Sequence, residues 1–179
     1  MAVRRRKSTA RLATAAVLAA LGVVFLTLGA FVEVLDLSMA AIASLAVVFA
    51  VIELKGKYPY LVYLVTSVLA LLLLPNKTPA LLYALFAGYY PILKACLEGR
   101  FSHTVSWLIK ILTFHAAFVL IAFLSIKLLT LYEITWQQWY LVIFVLATAV
   151  FVLYDIALTR LITAYLVRWR RRFRFHFED

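Results

Sequence analysis

The chain has 179 residues, of which 66% are hydrophobic and 15% are charged, and its mean hydropathy is +1.02. A soluble domain is about 45–50% apolar and about 25% charged, so this composition excludes a water-soluble globular protein and indicates one solvated by lipid. The formal net charge of +10 is concentrated in basic clusters that flank apolar runs. That pattern orients helices across a membrane, so membrane lipid is the expected partner and nucleic acid is not.

Six apolar runs follow one another and predict an all-α fold, a polytopic bundle of six transmembrane helices. The first run resembles a signal peptide because Arg4–Lys7 precede it. It is longer than the roughly 7–15 apolar residues of such a segment, so we expect it to be retained. A single transmembrane domain is predicted over residues 1–179. Its parts are a basic N-terminus (1–11), helices at about 12–34, 39–54, 59–74, 79–97, 104–127 and 136–167, and a basic tail (168–179).

Glycine and proline mark the ends of these helices. Lys55-Gly56-Lys57 ends the second run, Pro59 opens the third, and a turn at Pro75–Pro79 precedes the fourth. Inside the fourth run, Gly88-Tyr89-Tyr90-Pro91 predicts a kink, since Pro91 has no N–H to offer the carbonyl of Ala87. Such a break suits either a binding cavity or ordinary helix packing.

Lysine and arginine predict the orientation. Most of them fall in segments on the same side as the N-terminus, whereas the opposite turns carry Lys77 and Lys127. Positive residues favour the cytoplasmic side, and an even number of spans returns the basic tail to that side. We therefore predict a multi-pass protein of the bacterial plasma (inner) membrane with both termini cytoplasmic.

Ionisable residues inside the apolar runs form a predicted intramembrane polar cluster, because each is costly in hydrocarbon unless paired or hydrated. Its members are Lys94, Lys110, His115, Asp155 and Arg160. At about 1.5 Å per residue, Lys94, Lys110 and Asp155 reach a similar depth near the inner interface, which predicts a Lys110–Asp155 pair. The cluster is either a structural salt bridge with snorkelling side chains or a functional relay or docking element. His115 is either a hydrogen-bonded core residue or a proton-sensitive switch.

Polar and aromatic residues of the outer turns, together with the kinked fourth helix, are candidates for a small-molecule site. Aromatic walls with a few polar groups are typical of such sites, although an aromatic belt with helix caps has the same composition. The candidate ligand-binding residues are Glu33, Asn76, Tyr89, Tyr132, Trp136 and Gln137.

Catalytic and metal-binding motifs are not found in the sequence. It contains no Gly-rich phosphate loop, no H-E-x-x-H and no G-x-S-x-G, and its histidines lack the spacing of a metal site. The sequence therefore predicts no enzyme, no metal and no cofactor. The alternative, an intramembrane enzyme acting on lipid, would need Asp155 or His115 to be catalytic. The one cysteine excludes an internal disulfide.

The first helix carries small residues at helical spacing. Ala15, Ala19 and Gly22 share one face, and Ala16 and Ala20 share another. Small-x-x-x-small faces let helices approach closely in lipid, either within one chain or against a partner.

The segment Arg11–Leu21, in which a basic residue leads into an Ala-rich helix with A-x-x-x-A spacing, resembles the substrate-binding subunits (S-components) of energy-coupling factor transporters. The resemblance implies a capture subunit without ATPase activity that binds a vitamin or another micronutrient near the outer face. It also implies docking through Ala15, Ala16, Ala19 and Ala20 onto a membrane coupling subunit driven by an ATPase pair. The alternative is a six-helix membrane scaffold or assembly subunit, similar to the cell-shape protein MreD, with no transported ligand.

Overall fold

In the computed structural model, residues 2–129 and 140–169 are described, and every regular element in them is helical. The predicted all-α class is thus confirmed. The helices are α1 (Ala2–Phe31), α2 (Asp36–Phe49), α3 (Tyr58–Leu73), α4 (Thr78–Leu82), α5 (Tyr90–Glu98), α6 (His103–Leu129) and α7 (Tyr140–Ala164). A 3₁₀ turn at Glu33–Leu35 precedes α2, and π-helical turns extend α2 (Ala50–Leu54), α4 (Tyr83–Ala87) and α7 (Tyr165–Trp169).

Within the described ranges, 5 helical stretches are long and apolar enough to cross a membrane. They are Ser8–Phe31, Asp36–Leu54, Thr78–Glu98, His103–Leu124 and Val142–Arg168. The third predicted helix, α3, has 16 residues and is shorter than the roughly 20 residues that a span requires. The chain is a multi-pass membrane protein.

The described helices lie near the predicted apolar runs, and two of them differ from the predicted bounds in an informative way. Helix α1 begins at Ala2 instead of near residue 12, because arginine, lysine and alanine are good helix formers and nothing breaks the helix before the apolar run. The fourth predicted helix is divided into α4 and α5, as Gly88–Pro91 indicated. The start of the sixth predicted helix, near residue 136, lies outside the described residues.

The described residues fall into two compact units, 2–121 and 122–129 with 140–169. The single domain predicted over 1–179 stays a prediction. In the first unit, α1 packs on α2 and α3 through small residues. At Gly22, α1 lies close to α3, because an added Cβ would lie 2.9 Å from Cγ2 of Thr66. The Thr66 hydroxyl also donates to the carbonyl of Ala19 at 3.3 Å. Small residues therefore bring these backbones together, as packing in lipid requires.

In the second unit, α7 has one buried face, formed by Phe151, Asp155 and Leu158 at i, i+4 and i+7 spacing. The Thr159 hydroxyl donates to the carbonyl of Asp155 within the helix at 2.8 Å. Asp155 is thus a buried acidic residue of this unit.

Candidate functional site

The span Thr78–Glu98 is irregular between α4 and α5, and the irregularity has a clear backbone cause. Pro91 stands at the start of α5, where its missing N–H costs least. Immediately before it, the N–H of Gly88 donates to the carbonyl of Tyr83 at 2.8 Å, one residue further back than in an α-helix. A π turn and two turn residues, Gly88 and Tyr89, therefore interrupt the regular α-helical hydrogen bonding while the backbone keeps right-handed helical angles. We call this irregular stretch the break.

Tyr63 of α3 satisfies a carbonyl that this π turn releases. The usual donor to the carbonyl of Ala84 would be the N–H of Gly88, which instead bonds to Tyr83. The hydroxyl of Tyr63 donates to the Ala84 carbonyl at 2.7 Å. A side chain from a neighbouring helix thus replaces a backbone donor, which is how breaks are tolerated in hydrocarbon.

Gly88 is required by the rings that pack against it. A Cβ at this position would lie 2.7 Å from Cδ2 of Tyr63 and 2.8 Å from Cε1 of Tyr83. Tyr83 is fully buried and Gly88 is buried beside it. Any larger residue would have to displace one of these rings.

Aromatic side chains surround the break, and we call Tyr63, Tyr83, Phe86, Tyr89 and Phe114 the aromatic cluster. Tyr63 and Tyr89 meet edge to face with ring centroids 6.3 Å apart, and Phe86 and Phe114 do so at 5.3 Å. Tyr83 is buried, whereas the other four are only partly buried. At about 1.5 Å per residue, Tyr89 lies about 16 Å along the span from Thr78. That is close to the middle of a bilayer hydrocarbon core about 30 Å thick. The break therefore places half-buried aromatic rings at mid-membrane depth.

A second polar feature lies where α5 and α6 are joined. Nζ of Lys94 is 2.9 Å and Nζ of Lys110 is 2.6 Å from the same atom, Oε1 of Glu98. The lysine side chains are 2% and 3% exposed, whereas that of Glu98 is 47% exposed. We call these three residues the Lys–Glu–Lys cluster. Its carboxylate offsets part of the cost of burying two ammonium groups.

The backbone around this cluster is tightly bonded. The carbonyl of Leu97 accepts from the N–H groups of Arg100 and Phe101 at 3.2 and 3.0 Å and from the hydroxyl of Ser106 at 3.3 Å. Nζ of Lys110 also lies 5.6 Å from the ring centroid of Trp107, within cation–π range. The α5–α6 hairpin therefore holds both lysines in a defined arrangement.

Of the predicted intramembrane polar cluster, Lys94, Lys110 and His115 lie in the first unit, and Asp155 and Arg160 lie in the second. Lys94 and Lys110 share Glu98, which was not among the predicted members of the cluster. His115 is half-buried, and its Nδ1 lies 2.8 Å from the carbonyl of Ile111 in its own helix. Arg160 is exposed on α7. Asp155 and Lys110 belong to different units, so the predicted pair between them stays a prediction.

Of the six predicted ligand-binding residues, the structure describes the side chains of two, Asn76 and Tyr89. Oδ1 of Asn76 accepts from the N–H of Thr78 at 3.0 Å, so Asn76 forms an Asx turn directly before α4. Tyr89 joins the aromatic cluster. The backbone of Glu33 lies in the 3₁₀ turn, but its side chain is not described. Tyr132, Trp136 and Gln137 lie outside the described residues. The structure therefore relates Tyr89, but not Asn76, to the break in the span Thr78–Glu98.

The four alanines proposed to dock a partner face two directions. Ala15 and Ala19 are 4% and 3% exposed and belong to the core that α1 forms with α2 and α3. Ala16 and Ala20 are exposed. Of the two uses of small-residue faces, internal packing is therefore observed for Ala15 and Ala19, and docking stays a prediction.

Two residues of these features, Glu98 and Tyr63, are not among the residues predicted from the sequence. The pairing of Lys94 with Glu98 has a sequence signal, because the residues are four apart in a helix. Tyr63 has none, since its partner Ala84 is on another helix.

Within the described part of the chain, no three His, Cys, Asp or Glu side chains are grouped so that they could hold a metal ion. Comparison of the chain with known protein families, curated proteins and solved structures finds no match.

Proposed function

We propose that this chain is the membrane-embedded capture subunit of a micronutrient importer of the energy-coupling factor type. One observation carries the proposal, the break between α4 and α5 with partly buried Tyr63, Phe86 and Tyr89 beside it. π turns inside helices are frequent at functional sites, and irregular helices at mid-membrane depth bind the substrate in many transporters. Irregular backbone at that depth has to be covered by protein or line a cavity.

The aromatic cluster indicates the chemistry of the ligand. Flat rings with phenolic hydroxyls bind planar, weakly polar molecules by stacking and by a small number of hydrogen bonds. Many vitamins and their precursors have this character. The ligand would contact the break itself, and residues of the outer turns would close the site from above.

A second function, a membrane scaffold without a transported ligand, is favoured by the position of Ala15 and Ala19. Ala15 and Ala19 pack in the core of the chain itself and so do not face a partner. Of the four alanines of the proposed docking face, only Ala16 and Ala20 are exposed. A scaffold would use its lipid-exposed helices and its basic ends to hold other membrane proteins.

Copurification separates these functions. The full chain, carrying a tag and expressed in the cells that normally make it, is extracted in mild detergent and analysed by native mass spectrometry. A capture subunit retains a small molecule and an ATPase pair, and Tyr89→Ala loses the small molecule while Tyr60→Ala, on an exposed position of α3, retains it. A stable partner without ATPase motifs, and no bound small molecule, would instead support the scaffold.

A further inference from the structure

We propose that the ligand of the break is an uncharged, planar molecule with a carbonyl or amide group, and that the hydroxyls of Ser67 and Tyr89 bind that group. This assignment rests on the proposed function, which places the ligand at the break. It adds the charge of the ligand and the two residues that hydrogen-bond to it.

The hydroxyl of Ser67 is buried without a partner. Ser67 lies on α3, one turn after Tyr63, and is 7% exposed. Its Oγ lies near the phenol of Tyr63 but completes no hydrogen bond within the described part of the chain. Such groups are rare in folded proteins because burying an unsatisfied hydroxyl is unfavourable. A hydrogen bond to a ligand would remove this cost.

The hydroxyl of Tyr89 is the second group that a ligand can engage. The Tyr89 ring meets those of Tyr63 and Phe86 edge to face, with centroids 6.3 and 6.4 Å apart. Among the residues that the structure describes, the Tyr89 hydroxyl makes no hydrogen bond. Water does not reach the hydrocarbon core to satisfy it. The ring is thus held by its neighbours while its hydroxyl is available.

Tyr63 lies between these two groups and makes them one site. Its phenol is next to Ser67, its ring contacts Tyr89, and its own hydroxyl donates to the carbonyl of Ala84. Ser67 and Tyr89 therefore provide the hydroxyls at the break that are not used by the described protein. A hydroxyl both donates and accepts, so the pair suits a carbonyl oxygen or an amide.

The charge of the ligand follows from the ionisable residues nearest to the break. Lys94 and Lys110 are bound to Glu98 at the end of α5. Nδ1 of His115 lies 2.8 Å from the carbonyl of Ile111. A charged ligand at this depth would need a counter-ion, because a charge in hydrocarbon is costly. The aromatic cluster offers rings and hydroxyls instead, and these suit an uncharged planar molecule.

The test uses the full chain in an uncharged detergent and pairs of probes that differ in charge. Nicotinamide is compared with nicotinate, and 2-naphthamide with 2-naphthoate, by calorimetric titration with empty micelles as the blank. The variants Ser67→Ala and Tyr89→Phe each delete one hydroxyl and keep the remaining shape. Ser8→Ala and Tyr60→Phe are the matched controls, because they make the same changes at exposed positions of α1 and α3.

We expect an amide probe to bind at least about tenfold more tightly than its carboxylate counterpart. Ser67→Ala and Tyr89→Phe should each weaken that binding about three- to tenfold, as expected for one hydrogen bond, and the controls should leave it unchanged. Without a probe, Ser67→Ala should not lower the melting temperature, because it removes a hydroxyl that has no partner. A lower melting temperature with unchanged binding would show a purely structural role and overturn the assignment of Ser67.

Three results overturn the proposal as a whole: neither amide binds, the carboxylates bind as tightly as the amides, or both hydroxyl deletions leave binding unchanged. Copurification judges the importer separately. A chain that retains an ATPase pair but gives one of these three results is an importer with a different ligand or site. A chain that binds an amide through the two hydroxyls but holds no ATPase pair has this site without being an importer.

Discussion

The hydroxyl of Tyr63 on α3 donates to the carbonyl of Ala84 at 2.7 Å, where the π turn has taken away the normal backbone donor. This bond joins α3 to the span Thr78–Glu98 at its break. The irregular backbone is tolerated in the membrane because the phenolic hydroxyl of Tyr63 supplies the missing hydrogen bond.

Tyr63→Phe should therefore destabilise the protein by about 1 kcal/mol, because it removes this donor while keeping the ring. The measurement is unfolding in detergent by titration with sodium dodecyl sulfate. Tyr60→Phe is the matched control, since it makes the same change on the same helix at a residue that is 56% exposed. Equal stability of the two variants would show that the Ala84 carbonyl does not depend on Tyr63.

Gly88→Ala should destabilise the protein by about 1–3 kcal/mol, because the new methyl group would overlap the rings of Tyr63 and Tyr83. Gly99→Ala provides the control, as Gly99 is exposed and its added Cβ would come no closer than 3.3 Å to a neighbouring atom. Both variants are compared by thermal melting in the same detergent. A melting temperature for Gly88→Ala equal to that of the unchanged chain would contradict the packing described for the break.

Lys94 and Glu98 should be energetically coupled. A double-mutant cycle with Lys94→Met and Glu98→Gln is expected to give a coupling energy of about 1–2 kcal/mol, limited by the exposure of Glu98 to solvent. In the control cycle, Lys77→Met replaces Lys94→Met, and the two changes should add to within about 0.5 kcal/mol because Lys77 lies at the other end of the span. Additivity in both cycles would mean that the ion pair contributes nothing to stability.

Ala15 and Ala19 should not tolerate leucine. Substituting both is expected to lower stability by about 2–6 kcal/mol, since each larger side chain must enter a packed core. Ala16→Leu with Ala20→Leu should be nearly neutral, because these positions are exposed.

The same two pairs test docking. If a coupling subunit binds this helix, Ala16→Leu with Ala20→Leu should release it while the chain stays folded, as judged by copurification and melting temperature. Retention of the partner by this folded variant would remove the exposed alanines from the docking face.

Local composition was sufficient to predict the helices. Their type, approximate bounds and the break at Gly88–Pro91 follow from apolar runs, glycine and proline, because hydrocarbon forces each segment to satisfy its own backbone hydrogen bonds. The same composition determines that this is a membrane protein.

Only the tertiary structure decided which face of each helix turns inward. In a soluble protein the polar face identifies the outside, but here lipid-facing and core-facing residues are both apolar. Ala15 and Ala16 are therefore equivalent in sequence and differ only after α1 has packed on α2 and α3. Whether Lys110 meets Glu98, and Tyr63 meets Ala84, depends in the same way on how neighbouring helices are rotated about their axes. Close packing between the helices sets that rotation. No pattern within a single helix determines it.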